Sequence, residues 1–107
     1  MIPNYANVVA AGAEHTLVVM LDGSVLCTGF NMYGQLGDGT TNDRNEFFTV
    51  ITYGARTVAA GGRHSLVLKQ DGSVWATGEN VNGQLGDGSE DLKTFFVEVI
   101  SLSLIHI

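Results

Sequence analysis

Short apolar runs broken by glycine and aspartate cover most of the chain, and each is too short for a stable helix. Val8 to Ala11 closes at Gly12, and His15 to Met20 forms a second run rich in Leu and Val. Asp22-Gly23 then supplies residues that accept positive φ in a two-residue hairpin turn, and Ser24 to Thr28 returns as a third strand ending at Gly29. After a loop of Asn, Gly and Asp, Phe47 to Ile51 reads as a fourth strand. The order recurs as Thr57 to Ala60, His64 to Lys69, the turn Asp71-Gly72, Ser73 to Thr77 and Phe95 to Ile100. Leu66 and Leu68 face one way and Val67 the other, while Val74 and Ala76 oppose Trp75, so both faces of the sheet are apolar. A sheet with two dry faces is sandwiched between neighbours, as a propeller blade is. The pattern therefore predicts an all-β chain of two four-stranded antiparallel blades.

Laid on itself at an offset of 49, the chain matches at 23 of the 44 positions from 8 to 51. Val9-Ala10-Ala11-Gly12 falls on Val58-Ala59-Ala60-Gly61, and Gly34-Gln35-Leu36-Gly37-Asp38-Gly39 falls on Gly83-Gln84-Leu85-Gly86-Asp87-Gly88. A period of this size marks an array whose units cover one another's apolar faces. The small residues of the Ala-Ala-Gly segments suit a place where blades converge. Residues 8–56 make the first repeat and 57–101 the second, with 1–7 as a lead-in from a preceding blade. Two units leave apolar faces open, so further blades of the same chain are expected. The segment Leu102-Ser103-Leu104-Ile105-His106-Ile107 looks like one reading frame of a transposon mosaic end used as a sequencing adapter. It is set aside as a scar, with the natural chain expected to continue past Ser101.

The order Val-Ala-Ala-Gly, His-[Ser/Thr]-Leu, Asp-Gly-Ser-Val and Asn-x-x-Gly-Gln-Leu-Gly-Asp-Gly resembles the regulator of chromosome condensation repeat family across about residues 8 to 100. The resemblance implies a seven-bladed β-propeller when complete. Its repeat core falls here on His15, Asp22, Gly23, Gly29, Asn31, Gly34, Gln35, Leu36 and Gly37, and again on His64, Asp71, Gly72, Gly78, Asn80, Gly83, Gln84, Leu85 and Gly86. The family includes a guanine-nucleotide exchange factor for a small GTPase, whose activity depends on a wedge inserted in one blade. This sequence has no inserted hairpin, so no residue role carries over. Such repeats also occur in larger ubiquitin ligases and kinases. Light-sensing members place tryptophan in a Gly-Trp-Arg-His segment, whereas Gly62 and Ala13 stand at that position here.

Charge narrows the partners. Five Lys and Arg against eleven Asp and Glu give −6, with no basic cluster, which argues against direct contact with nucleic acid. No stretch has the length of a membrane span, and the first residues lack the basic and apolar parts of a signal peptide. A chain inside the cell, cytoplasmic or nuclear, is the expectation. Cys27 is the single cysteine, so neither an internal disulfide nor a cysteine zinc site is expected.

Candidate chemistry is sparse. His15 and His64 invite a metal or general-base reading, but a group duplicated in each unit suits a structural bond to backbone at each strand start better. The glycine-rich loops read Gly-x-x-Gly-x-Gly without a following Gly-Lys, so they predict tight turns with Leu36 and Leu85 packed inward and no phosphate cradle. Asp87, Glu90 and Asp91 lack calcium-loop spacing and read as a solvated turn. Trp75 reads as core. No cofactor and no catalytic group is expected. Thr40 to Glu46 and Ser89 to Thr94, where the copies diverge most, are the expected partner-contact loops, with Asp43, Arg44, Asp91 and Lys93 as contact residues. The chain thus reads as a non-catalytic protein-interaction scaffold.

Overall fold

The computed structural model describes residues 5–79 and 93–99. Eight strands form two antiparallel sheets of four, each in the order of the sequence. Blade 1 holds β1 (Ala6–Ala11), β2 (His15–Met20), β3 (Val25–Gly29) and β4 (Arg44–Ile51). Blade 2 holds β5 (Ala55–Ala60), β6 (His64–Lys69), β7 (Val74–Gly78) and β8 (Lys93–Glu98). The two-blade, all-β expectation stands.

Strand ends differ from the sequence pattern for identifiable reasons. β1 and β5 each begin two residues early, at Ala6 and Ala55, because a bulge beside Asn7 and Arg56 shifts the alternation that the apolar pattern follows. β4 starts at Arg44, so the exposed Asn45 and Glu46 extend a strand that apolar residues alone place from Phe47. β8 likewise starts at Lys93. The hairpin loop is also one residue longer than the two-residue turn expected. Gly23 N–H donates to the Met20 carbonyl and Met20 N–H to the Ser24 carbonyl, giving a three-residue loop. Gly23 alone in that loop has positive φ, 84°, and Asp22 instead turns its carboxylate back to accept from the Ser24 amide and hydroxyl at 2.9 and 2.6 Å. Asp71 and Ser73 repeat the same two bonds at the same distances.

The main core lies between the blades. Leu17, Val19, Val25 and Cys27 of blade 1 meet Val58 and Val67 of blade 2, with Leu36 of the glycine-rich loop inserted among them. β2 and β3 therefore use one face for this seam, and Val18 and Leu26 turn the other way. A second cluster, Leu66, Val74, Ala76 and Val99, lies on the far face of blade 2. β5 approaches both β2 and β1 across the seam, and a Cβ on Gly12 would run into the Gly61 carbonyl oxygen. The small-residue segments thus stand where the blades converge. Trp75 differs from its core expectation: it is half-buried, with Lys69 Nζ 4.1 Å above its ring and its indole N–H donating to Ser73 Oγ at 2.8 Å. A polar edge that needs a partner keeps it at the margin. Residues 1–4, 80–92 and 100–107, and with them the adapter-like tail and the last residue of the fourth strand expected in the second repeat, lie outside the described residues.

Candidate functional site: the seam and its rim loop

Among the described residues a backbone bond, the Ala55 N–H to the Gly23 carbonyl at 2.9 Å, and two further sets of polar bonds cross the seam. Ser65 Oγ donates to the Gln35 carbonyl at 2.6 Å, and His15 Nε2 lies 2.9 Å from the same Oγ. Since the serine hydrogen points at Gln35, His15 Nε2 is the donor, which places its proton there and leaves Nδ1 as an acceptor. That Nδ1 is buried without a hydrogen-bond partner among the described residues. Burial lowers the His15 pKa, the nearby His64 carbonyl opposes the shift, and charge on His64 adds to it. The sequence pattern anticipates a structural bond from this histidine to backbone; beside the His64 backbone it also reaches a hydroxyl of the next blade. His64, half-buried, has its pKa lowered by burial against the charge of Glu79.

The glycine-rich loop makes the second set. It leaves β3 after Gly29 and reaches over to the outer strand of blade 2. Thr77 Oγ1 lies 2.8 Å from the Gly34 carbonyl and 2.9 Å from the Lys93 carbonyl, so one buried hydroxyl joins the loop to β8. Gly39 N–H donates to the Thr94 carbonyl at 2.8 Å, and Asp38 bridges to Phe95. Gly34 has φ 75°, and a Cβ there would come within 2.5 Å of the Lys93 carbonyl oxygen, so both conformation and space demand glycine. Gly37 packs against Phe96.

Asn31, fully buried, organises the loop. Its Oδ1 accepts the Leu36 N–H at 2.9 Å, while the two hydrogens of Nδ2 are shared among Asp38 Oδ1, the Thr40 carbonyl and the Asn42 carbonyl, all 2.9 to 3.0 Å away. Asp38 Oδ1 also accepts from the Thr40 amide and hydroxyl, and Oδ2 pairs with Arg44 Nε at 2.7 Å. Burial alone would raise the Asp38 carboxyl, but Arg44, Thr40 and Asn31 together hold it below the ordinary carboxylate range. Cys27 is driven the other way: burial, then the Asp38 charge, pushes its thiol up to about 12, leaving it protonated and unreactive.

The expected contact residues separate in this frame. Asp43 is exposed, with Oδ1 accepting the Asn31 N–H at 2.9 Å. Arg44 is a strand residue whose guanidinium pairs with Asp38 and stacks 3.9 Å over Phe48. Lys93 opens β8, its carbonyl set against the Gly34 turn. Asp91 lies outside the described residues, as do Asn80, Gly83, Gln84, Leu85, Gly86, Asp87 and Glu90. Gln35 is fully buried and its Oε1 accepts the Tyr33 N–H at 2.9 Å. Sequence reasoning missed Ser65 and Thr77, although a hydroxyl after each histidine and a threonine at 28 and 77 were visible in the offset alignment. Two open rim features complete the site. A groove of ≈ 650 Å³ runs along Val50 to Gly54 and Lys69 to Asp71. On the opposite rim Arg63 lies 4.6 Å over the Tyr33 ring and 3.3 Å from Glu79.

Comparison with known proteins follows this geometry. Sequence profiles for the regulator of chromosome condensation (RCC1) repeat match residues 8–35 and 55–84, and a second profile of that description matches 22–68. Over 48 residues the chain is 44% identical to the human X-linked retinitis pigmentosa GTPase regulator, covering 45% of this chain and 5% of that protein. Human WBSCR16 superposes with a TM-score of 0.78 at 26% identity, over 89% of this chain and 26% of that one. Yeast RCC1 (Prp20), solved bound to Kap60, superposes with a TM-score of 0.84 at 20% identity, over 96% of this chain and 27% of that one. A further structure of Prp20p from Saccharomyces cerevisiae, described with its binding properties to Gsp1p and histones, gives 0.79 at 20% identity, over 96% and 28%. The chain spans a small part of the curated relative and about a quarter of each solved one.

Proposed function

The chain belongs to the regulator of chromosome condensation (RCC1) repeat family, and on that premise we propose that it is a non-catalytic protein-interaction scaffold supplying two adjoining blades of a larger β-propeller. Repeat 1 runs from 8 to 56 and repeat 2 from 57 to 101. The observation that supports a recognition role is the stiffness given to an exposed loop. Asn31 holds the Thr40 and Asn42 carbonyls and bonds Asp43, yet Thr41, Asn42 and Asp43 remain on the surface. A loop fixed from beneath loses little entropy on binding, which is how rigid scaffolds recognise partners.

Asp43, Arg44, Asp91 and Lys93 remain the proposed contact residues, with Asp43 the cleanest probe because Arg44 also holds Asp38. Asp43→Asn in the longest natural polypeptide, which keeps an oxygen for the Asn31 N–H and removes the charge, should weaken partner binding while the melting temperature stays within a few degrees. Binding left intact by that change would count against the rim loop as the contact.

A second reading, part of an exchange factor for a small GTPase, draws support from the likeness to the human GTPase regulator. The yeast relative is described bound to Kap60 and with binding properties to Gsp1p and histones, and protein partners of that kind, in the nucleus or cytoplasm, suit a chain of net charge −6. A nucleotide-exchange assay with purified small GTPases separates the two readings: catalysed release supports the second, and binding without release supports the first.

A further inference from the structure

The rim opposite the groove at Val50 to Gly54 holds a second cleft, of ≈ 220 Å³, that both blades build. Ala13, Glu14, Phe30 and Tyr33 come from blade 1, and Gly62 and Arg63 from blade 2. It opens among the loops that join strands and not on a sheet face, so further blades of the propeller would stand beside it and leave it open. None of Ala13, Glu14, Phe30 and Tyr33 recurs 49 residues on, whereas Gly12, His15, Gly29 and Gly34 beside them do, so the repeat itself does not call for these side chains. The Arg63 guanidinium lies 4.6 Å over the Tyr33 ring and 3.3 Å from Glu79, which shows that this aromatic wall accepts a guanidinium. Phe30, tilted 59° to Tyr33 with ring centroids 6.2 Å apart, carries no cation among the described residues. Glu14 is exposed, and its carboxylate has no ion pair among them.

Volume and charge narrow the occupant. A cleft of this volume falls below the range that holds a cofactor or a drug-sized ligand, and suits a single side chain. The carboxylates of Glu14 and Glu79 stand against one guanidinium, so the charge about the cleft is −1 and favours a cation. A flat cation with two donors in one fork uses both the free ring and the free carboxylate, whereas an ammonium offers neither the flat face nor the fork. We propose that the cleft receives an arginine side chain of the protein partner, with its guanidinium against the Phe30 ring and paired with the Glu14 carboxylate. The proposal rests on the scaffold reading and names the chemistry of the partner, a basic segment with one anchoring arginine. Such an anchor, seated in a pocket among weaker contacts, is the way a few residues carry most of an interface.

Amide NMR on the isotope-labelled full chain, titrated with acetyl-Gly-Arg-Gly-amide and with acetyl-Gly-Lys-Gly-amide, tests it. The arginine peptide should shift the Glu14, Gly62 and Arg63 amides with millimolar affinity, about fivefold tighter than the lysine peptide. Glu14→Gln should weaken that binding about fivefold at low salt, since one exposed ion pair is lost. Gly62→Leu should abolish it by filling the cleft; a Cβ there meets nothing within 4 Å and the backbone is not left-handed, so the variant keeps its fold. No saturable shift, equal affinity for the two peptides, or binding untouched by Gly62→Leu overturns the proposal. A natural partner lost with Asp43→Asn but retained with Gly62→Leu also overturns the cleft, and leaves the scaffold reading in place.

Discussion

Val58 and Val9 hold the same position in successive repeats, yet the first is 8% exposed and the second 62%. The difference lies in what faces them, since the strands and their registers match: Val58 pairs with Val67 and Val9 with Val18. A residue's role in this chain is thus set by the seam it enters and not by the repeat it belongs to. The same holds for polar groups. Ser65 answers both His15 and Gln35, while Thr16 answers nothing of the kind among the described residues.

The sharpest break in that comparison should come at the loop that crosses the seam. Gly34→Ala places a Cβ within 2.5 Å of backbone at a positive φ, and should cost roughly 3 kcal/mol or more by urea unfolding. Asn31→Ala removes the organiser of the same loop and should cost about 3 kcal/mol, against about 0.5 kcal/mol or less for Asp43→Ala at its exposed end.

Next in size is the hydroxyl pair. Ser65→Ala strands the buried His15 Nε2 and the Gln35 carbonyl, so a loss of about 2 kcal/mol is expected, whereas Thr16→Ala should stay within about 0.5 kcal/mol. Equal losses at the two sites would erase the distinction between a filled and an unfilled face. Val58→Ala against Val9→Ala sharpens the apolar version, with about 2 kcal/mol for the buried member and a few tenths for the exposed one.

Acid should act through the same seam. Burial disfavours the His15 imidazolium in the folded state, so the unfolded chain binds more protons below the ordinary value of 6.5. Stability is then complete above that pH and declines as pH falls beneath it, with His64 acting in the same direction. His15→Gln, which has no proton to gain, should show a shallower decline in thermal melts between pH 7 and 5.

Much of the fold was legible because the offset of 49 duplicated every strong signal, so each strand was read twice. The bulges at Asn7 and Arg56 were hidden, because a polar residue inside a strand looks like its end. The three-residue hairpin loop was hidden too: Asp22-Gly23 suits a turn with two positive φ values, yet the aspartate carboxylate caps Ser24 and only glycine turns left-handed. The site was less legible. The glycine neighbours of Leu36 mark it as inward-packing, and it is 1% exposed. The reach of the loop to β8 was not readable, since Thr77 and Gly34 lie 43 residues apart and no local pattern encodes a bond at that range. Arg44 looked like free loop charge because its partner Asp38 belongs to a motif that reads as turn chemistry.

A double-mutant cycle between His15 and Ser65, run in dilute protein beside the matching cycle between His64 and Thr16, tests the central claim most directly. A coupling of about 1–2 kcal/mol for the first pair and none measurable for the second is the predicted result. Zero coupling between His15 and Ser65, or equal coupling in both pairs, would contradict it.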